Sequence, residues 1–272
     1  MMRVLPIVRT RILGLFALAS VVLTSAHATE WPTLSDFERK SIAEQIFQNE
    51  CAGNRDSLVF WSDREEFPSL GIGHFIWFPS DVDMPFVESF PTLIEYLVDQ
   101  NIAVPAILRS KHAPWRSREA FYAQKSEGAL DAIEAFLWQS RVAQYGYIEK
   151  QARANLAEFS DDHSRNVISR MLTDPGGVYV LVDYLNFKGT GLNPKERYQE
   201  QGWGLYQVLE GMAKDTDNPI RDFRDSAQRV LKRRTELAPS HRNEESWLPG
   251  WYQRLNTYIE FSESNDKALP TK

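Results

Sequence analysis

Glu50 and a group of acids shortly after it are the residues of this chain best suited to acid–base chemistry. Glu50 follows the segment "SDFERKSIAEQIFQN", the run "DREE" occupies positions 63–66, and the glycine-containing string "SLGIGH" occupies positions 69–74. Two carboxyl groups on opposite sides of a cleft can cleave a glycosidic bond, because one protonates the leaving oxygen while the other stays ionised. These residue types at this spacing therefore point to glycan chemistry, with Glu50 as one of the two carboxyl groups.

The segment before Glu50 is predicted to be a helix that ends near this residue. Ser35 followed by Glu38 matches a capping box, and several apolar residues share roughly one helical face: Phe37, Ile42, Ile46 and Phe47. Glu50 would then stand at the C-terminal end, where the helix dipole disfavours a negative charge. Burial against nearby aromatic residues would favour its protonated form, which is the form that a general acid needs.

Residues 57–78 are the part of the sequence that reads as β-structure. The runs "SLVFW" and "SLGIGHFIWF" are rich in β-formers, and "SDREEFP" between them is a turn signal. This pattern predicts one hairpin, which would carry Asp63 or Glu65 back toward the helix end. Gly71 and Gly73 within the second run indicate a bulge or a close backbone approach.

Most of the remaining sequence shows helical spacing. Apolar residues recur at three- and four-residue intervals in 126–159, 161–174 and 205–212, "PTLIEYLVDQ" is a short helix, and Asn218 followed by Pro219 starts another. No linker-like segment divides the chain. The predicted fold class is α+β, mainly α, with one small β-hairpin in a single domain of residues 29–261, followed by a polar C-terminal tail at 262–272.

The first 28 residues have the pattern of a bacterial secretory signal. Arg3, Arg9 and Arg11 precede the apolar run "ILGLFALASVVL", and Ala26-His27-Ala28 matches an A-x-A cleavage site. The pattern predicts cleavage before Thr29 and a periplasmic or extracellular protein without membrane contact afterwards; an uncleaved N-terminal anchor is the alternative.

Charge and cysteine content exclude several classes of partner and site. The predicted signal contains three of the 31 basic residues and none of the 37 acidic ones, which leaves a formal charge of about −9 and argues against nucleic acid and anionic membranes. Cys51 is the only cysteine, so no internal disulfide is expected. The histidines outside the signal are scattered and no cysteine pair exists, so neither a metal site nor a cofactor is predicted. The sequence leaves the oligomeric state open.

The acid and glycine pattern resembles the phage-type lysozymes of the lysozyme-like superfamily. In these enzymes a glutamate ends the first helix, a hairpin carries an acid, and a "T-x-G-x-G-H" string follows, which corresponds here to residues 69–74. The chain is also similar to a group of uncharacterised exported bacterial proteins, through "SLGIGHFIW" and strings within residues 186–209 and 241–251. The lysozyme resemblance covers about 25 residues and implies a lysozyme-like domain that cleaves peptidoglycan.

The resemblance also implies roles for individual residues. Glu50 matches the general acid, and Ser69 matches a threonine that helps to hold the attacking water. Asp63 matches the second carboxylate by its spacing from Ser69, whereas Glu65 matches a glutamate that recurs in the exported group; Glu65 is the preferred candidate and Asp63 the alternative. His74 matches a histidine that is structural in the enzymes.

Residues 183–209 form a second informative stretch, rich in amides, aromatic residues and glycines. Amides hydrogen-bond to sugar hydroxyls and N-acetyl groups, and a tryptophan offers a stacking face. Asn186, Lys188, Gln201 and Trp203 are therefore predicted to bind substrate near Glu50. The alternative is a structural loop with Trp203 in the core.

Three functions remain open at this point. The first is an exported glycosidase that acts on peptidoglycan, by retaining, inverting or lytic chemistry. The second is a non-catalytic lysozyme-like protein that binds glycan or associates with a wall enzyme, and the third is an exported enzyme acting on another polysaccharide. Glu50 facing a second acid across an open groove favours an enzyme, whereas Glu50 sealed by an ion pair favours a binding or structural role.

Overall fold

The computed structural model describes residues 31–82, 84 and 87–268, with side chains as far as residue 264. The predicted signal segment and its cleavage site lie outside these residues. The described chain is mainly helical and has one small antiparallel sheet. The predicted fold class, α+β and mainly α, is thus confirmed for the described residues.

Ten α-helices, connected by short loops and 3₁₀ turns, are present in the described ranges. In chain order they are α1 (Asp36–Cys51), α2 (Phe90–Asp99), α3 (Arg118–Ser126), α4 (Asp131–Gln139), α5 (Arg141–Leu156), α6 (Asp162–Met171), α7 (Pro175–Lys188), α8 (Leu205–Glu210), α9 (Pro219–Leu237) and α10 (Leu248–Ala268). The 3₁₀ turns are Arg55–Leu58, Ala106–Arg109, Ser240–Arg242 and Glu244–Trp247.

The sheet has three strands rather than the two of a single hairpin. These are β1 (Val59–Phe60), β2 (Ser69–Leu70) and β3 (Phe75–Ile76), and β2 pairs in antiparallel fashion with both neighbours. The prediction of one hairpin was incomplete because "SLGIGHFIWF" contains two strands. The turn at residues 71–74 reverses the chain between them, and the Gly71 carbonyl accepts a hydrogen bond from the His74 N–H at 3.2 Å.

Helix α1 begins where the sequence predicts. The Ser35 hydroxyl accepts a hydrogen bond from the Glu38 N–H at 3.3 Å, and the Glu38 carboxylate accepts one from the Ser35 N–H at 2.6 Å, which completes the capping box. Ile42, Ile46 and Phe47 are buried, but Phe37 is 61 % exposed and does not belong to the core face. Ala52, in the left-handed region at φ 50°, ends the helix just after Glu50.

Helix α7 is an element that the sequence analysis did not predict. It is buried along most of its length, and it contains residues 183–188, which were assigned to an amide-rich loop. An apolar run that is buried on every side has no three- to four-residue periodicity to reveal a helix. Asp174 caps its first turn by accepting from the Gly177 N–H at 3.0 Å.

Two further boundaries differ from the prediction. The segment 126–159 contains two helices, α4 and α5, which meet at Ser140. Helix α10 continues to Ala268, so the predicted start of a tail at 262 falls within a helix. The last helix packs on α9 and α7, and α7 in turn packs on α1 and α5. This arrangement brings the ends of α1, α7 and α10 together. No helix in the described ranges has the length and apolar character needed to cross a membrane.

Candidate functional site

Glu50 lies in the last turn of α1 and is held by residues from two distant helices. Its Oε1 atom accepts hydrogen bonds from Asn186 Nδ2 at 2.9 Å and from Arg254 Nη2 at 2.7 Å. The Glu50 side chain is 15 % exposed. Its other oxygen, Oε2, has only the His74 imidazole nearby, with Nδ1 at 4.0 Å. One carboxylate oxygen is therefore occupied by the fold, while the other has no hydrogen-bond donor from the described residues.

A buried carboxylate behind Glu50 fixes the position of Arg254. Asp183 has no exposed surface and accepts from Arg254 Nε at 2.9 Å and Nη2 at 2.8 Å. Asn49 and Tyr258 donate to the same carboxylate at 3.0 Å and 2.8 Å. Burial acts to lower the pKa of Arg254, but the carboxylates of Asp183 and Glu50 outweigh it and hold that pKa well above its usual value. The guanidinium is thus charged and held in place, and its Nη2 donates a charge-assisted hydrogen bond to Glu50.

His74 stands beside Glu50 because of the turn between β2 and β3. Its backbone is in the left-handed region at φ 47°, and its Nε2 lies 3.7 Å from Cys51 Sγ. The exposed ring of Phe60 stacks on the imidazole at a centroid distance of 6.1 Å. Burial, followed by the negative charge of Glu50, raises the pKa of Cys51 to about 12, so this thiol is not a nucleophile near neutral pH.

The turn geometry explains both glycines of the "SLGIGH" string. Gly71 has φ 77°, and a Cβ atom there would lie 2.4 Å from Gln144 Oε1. Gln144 is buried and accepts from the Ile72 N–H at 2.9 Å. At Gly73 a Cβ atom would lie 2.7 Å from the ring of Phe75. At both positions the backbone therefore lies too close to a neighbouring side chain to leave room for a Cβ atom.

Glu65 lies close enough to His74 for the two charges to interact. Glu65 is an exposed residue, yet partial desolvation of its carboxyl group raises its pKa, and the charge of His74 partly opposes this effect. Its backbone is anchored because Trp61 Nε1 donates to the Glu65 carbonyl at 2.8 Å. Asp63 is likewise exposed, and it makes no hydrogen bond or ion pair with the described residues. Of the two candidates for the second carboxyl group, Glu65 is the one that the structure connects electrostatically to His74.

Ser69 is placed by the register of the sheet. It pairs with Phe60 of β1 and Ile76 of β3, so its side chain leaves the sheet on the same face as theirs. Phe60 stacks on His74, and Ile76 lines the cleft described next. The Ser69 hydroxyl forms no hydrogen bond with any described residue.

A cleft of about 510 Å³, here called the His74 cleft, opens beside these groups. The polar side chains along its walls are amides, hydroxyls and one imidazole, supplied by the sheet, the start of α2, α5 and α7: His74, Ser89, Tyr147, Gln151, Asn155 and Asn186. Asn186 contacts both the cleft and Glu50, so the carboxylate stands at the edge of a concave, mostly uncharged surface.

Lys188 is the last residue of α7, and its side chain lies near Arg234 and Arg254. Its Nζ lies 3.8 Å from the ring centroids of both Phe187 and Trp251, and it has no carboxylate partner among the described residues. Burial, together with the positive charges of Arg234 and Arg254, lowers the pKa of Lys188 to about 6. Near neutral pH this side chain is therefore largely a neutral amine, not a point charge for substrate.

The other two predicted binding residues, Trp203 and Gln201, form contacts with groups other than Glu50. Trp203 stacks on the Arg234 guanidinium at 4.2 Å, and its carbonyl accepts from the buried Tyr184 hydroxyl. Gln201 accepts from Arg233 at 3.0 Å and lines a separate concavity with Arg197. Asn186 is thus the only member of the predicted group that contacts Glu50 directly in the described structure.

Sequence analysis missed Arg254 and Asp183. An acid within the apolar run "VYVLVDYLNF" signals a buried carboxylate that needs partners, and this signal was available for Asp183. Arg254 gave no such signal, because it is one of several charged residues in a long helix and lies 204 positions from Glu50.

Within the described ranges, no three His, Cys, Asp or Glu side chains gather in a group that could hold a metal ion. Comparison of the chain with known proteins shows no matching protein-family model, no matching curated protein and no matching solved structure. The geometry of the site, combined with the resemblance of its short motif, is therefore the basis for any functional assignment.

Proposed function

We propose that the protein is an exported glycosidase that cleaves peptidoglycan, with Glu50 and Glu65 as the pair of carboxyl groups. The observation that carries this proposal is the environment of Glu50: Arg254 and Asn186 hold one oxygen, while the other faces His74 at the edge of the His74 cleft. A carboxylate held rigidly with one free oxygen, next to a cleft, is suited to act on a bound substrate.

The two carboxyl groups have different environments, which favours different roles. Arg254 and Asn186 fix one oxygen of Glu50, so Glu50 is the carboxyl group placed to activate water or to stabilise the oxocarbenium-like transition state. Glu65 has the raised pKa, so it retains a proton more readily and is the proton donor to the leaving oxygen. These roles are the reverse of those that the lysozyme resemblance implies for Glu50 and its partner.

The His74 cleft has the chemistry expected of a sugar site. Its amides and hydroxyls can bond to sugar hydroxyls and to N-acetyl groups, and its volume lies within the usual range of ligand sites, roughly 300–1,000 Å³. Peptidoglycan is the β-linked amino-sugar polymer of the compartment to which the predicted signal leads. Ser69, on the same sheet face as Phe60, would position water beside the cleft.

The direct test is incubation of the purified protein with peptidoglycan, followed by mass spectrometry of the released fragments. Products that contain one added water per cleavage indicate hydrolysis, and anhydro products one water lighter indicate a lytic reaction. Glu50→Gln and Glu65→Gln should each lower the rate by about 100-fold or more, the usual scale for acid–base catalysis. Glu66→Gln, which changes the adjacent exposed acid, is the matched control and should retain the activity. If Asp63→Asn, and not Glu65→Gln, abolishes cleavage, Asp63 is the second carboxylate.

A second substrate separates the two roles. An aryl chito-oligoside with a nitrophenol leaving group needs little protonation as it departs, so loss of the acid matters less. Glu65→Gln should therefore lose less activity on the aryl glycoside than on peptidoglycan, whereas Glu50→Gln should lose activity on both. The opposite pattern would make Glu50 the acid. Folding of Glu50→Gln is protected, because Asp183 still pairs with Arg254 in this variant.

The ion pair between Glu50 and Arg254 favours a second candidate function, a non-catalytic glycan-binding protein. In that case the carboxylate serves to position Asn186 at the edge of the cleft. The distinguishing result is a wild-type protein that cleaves no glycan but binds chito-oligosaccharide, with binding weakened by Asn155→Ala or Gln151→Ala, which remove polar groups of the cleft wall.

A further inference from the structure

A second cavity of about 570 Å³ lies on another face of α5, apart from the residues of the proposed active site. Helix α5 contributes Val142, Ala143 and Gly146 to this cavity, whereas Tyr147 and Gln151 of the same helix line the His74 cleft. Tyr96 lines this cavity and Tyr147 lines the His74 cleft, and their rings are in contact at a centroid distance of 5.6 Å. We call this second space the Arg39 cavity.

Arg39 is the only charged side chain among the described residues that line the cavity. Its Nη1 pairs with Glu149 at 2.6 Å, and its side chain is 31 % exposed. Its Nε and Nη2 form no hydrogen bond with a described residue. Buried Glu149 also pairs with Arg153 at 2.5 Å. Two guanidinium groups therefore share one carboxylate, which leaves a surplus positive charge beside the cavity.

A second donor stands next to Arg39 because position 146 lacks a side chain. A Cβ atom at Gly146 would lie 2.7 Å from the Tyr96 hydroxyl and 3.2 Å from Arg39 Nη2, so both groups converge on the space above this glycine. The Tyr96 hydroxyl has no hydrogen-bond partner among the described residues, and burial raises its pKa, so it remains a proton donor. Lys150 Nζ, 5.6 Å from the Tyr96 ring, adds a further positive charge.

The other walls combine the polar residues Gln100, Gln139 and Ser140 with a larger number of apolar residues. Ile102, Phe136 and Val142 line the cavity together with two alanines. A ligand that fits this environment needs an anionic oxygen pair for the donors at one end and an apolar body for the rest. We propose that the Arg39 cavity binds an organic carboxylate with an apolar body, whose oxygens are held by Arg39 Nη2 and the Tyr96 hydroxyl above Gly146.

Calorimetric titration of the purified full chain tests this proposal. The probes are 4-phenylbutyrate, as a free apolar acid, and acetyl-alanyl-alanine, as a peptide with a free C-terminal carboxylate. Each is compared with its uncharged amide, which should bind at least about tenfold more weakly, because a hydrogen bond to a charged group is stronger than a neutral one. The probe that binds more tightly identifies the source of the carboxylate, a free acid or a peptide terminus.

Three variants locate the binding. Tyr96→Phe removes one hydroxyl and keeps the ring, and it should weaken carboxylate binding about 3- to 10-fold. Gly146→Ala fills the space where the donors converge, and Arg39→Gln removes the charge; both should abolish binding. Arg55→Gln is the matched control, because Arg55 is a half-exposed arginine that pairs with Glu134 outside the cavity, and binding should not change.

The proposal is overturned if acids and amides bind equally, if neither acid binds at millimolar concentration, or if Tyr96→Phe and Gly146→Ala bind like the wild type. Tyr96→Phe keeps this conclusion available even if Arg39→Gln fails to fold, since Tyr96 has no hydrogen bond to lose in the described structure. The readout is binding alone, so its outcome does not depend on whether the His74 cleft cleaves glycan.

Discussion

Lys188→Met should stabilise the protein, and the gain should shrink as the pH rises. In the folded protein the pKa of Lys188 is lowered from 10.5 to about 6 by burial and by the nearby charges of Arg234 and Arg254. Between these values the unfolded chain binds a proton at this lysine that the folded chain does not. Raising the pH therefore favours the folded state of the wild type, and the cost of Lys188 is fully present below about pH 6.

Lowering the pKa from 10.5 to about 6 corresponds to a cost in folding free energy of at most about 6 kcal/mol, which is about 1.4 kcal/mol for each pH unit between these two values. Two effects reduce this value. The faces of Phe187 and Trp251, both 3.8 Å from Nζ, attract the ammonium ion, and part of the side chain still contacts solvent. We expect the wild type to gain about 1–3 kcal/mol relative to Lys188→Met between pH 6.5 and pH 9.

Urea denaturation followed by tryptophan fluorescence, at several pH values from 6.5 to 9, measures this difference directly. Methionine matches the length of the lysine side chain and packs well against aromatic rings. Lys40→Met, which changes an exposed lysine of α1, is the control and should give a pH profile parallel to that of the wild type. If the profiles of Lys188→Met and the wild type are also parallel, Lys188 keeps its proton in the folded protein and the reasoning from burial is wrong.

Three further predictions concern the elements that position Glu50 and His74. Gly71→Ala should lower the free energy of unfolding by about 1–3 kcal/mol, since φ is 77° and the new Cβ would overlap Gln144. The control is Gly250→Ala, at an open position in a helix, which should be neutral or stabilising in the same urea assay. Ser35→Ala removes the cap of α1 and should lower the free energy of unfolding by about 1 kcal/mol, measured by thermal unfolding relative to the wild type; the cap of α9 at Asn218 is the same in both proteins. Cys51, with its pKa raised to about 12, should resist iodoacetamide at pH 7.5 in the folded protein and react in urea; rapid alkylation without denaturant would contradict its burial.

The parts of the fold that sequence analysis predicted depend on interactions between neighbours in the chain. The capping box of α1 joins two residues three positions apart, and two adjacent residues, Asn218 and Pro219, mark the start of α9. Gly71 was informative because a tight turn with positive φ requires glycine locally. Such signals need no knowledge of the rest of the chain, and they were correct here.

The parts that it missed are set by packing between distant segments. Helix α7 is surrounded by other helices, so its apolar residues show no period, and residues 183–185 at the start of the expected loop are instead fully or mostly buried. Trp203 stacks on Arg234 and Gln201 lines a concavity with Arg197, contacts that the composition of the segment does not reveal. Composition indicates which groups are available, whereas only the tertiary fold decides where they lie.

The dependence of Glu50 on Asp183 shows how the fold defines the chemistry of this site. Without Asp183, the guanidinium of Arg254 would lose the buried carboxylate that accepts from its Nε and Nη2 atoms, and it would be held less firmly against Glu50. Asp183 is itself stable as a buried carboxylate only because Asn49, Tyr258 and Arg254 all donate to it. Glu50 is therefore placed by side chains of α7 and α10 together, and its position in the sequence at the end of α1 does not reveal these partners.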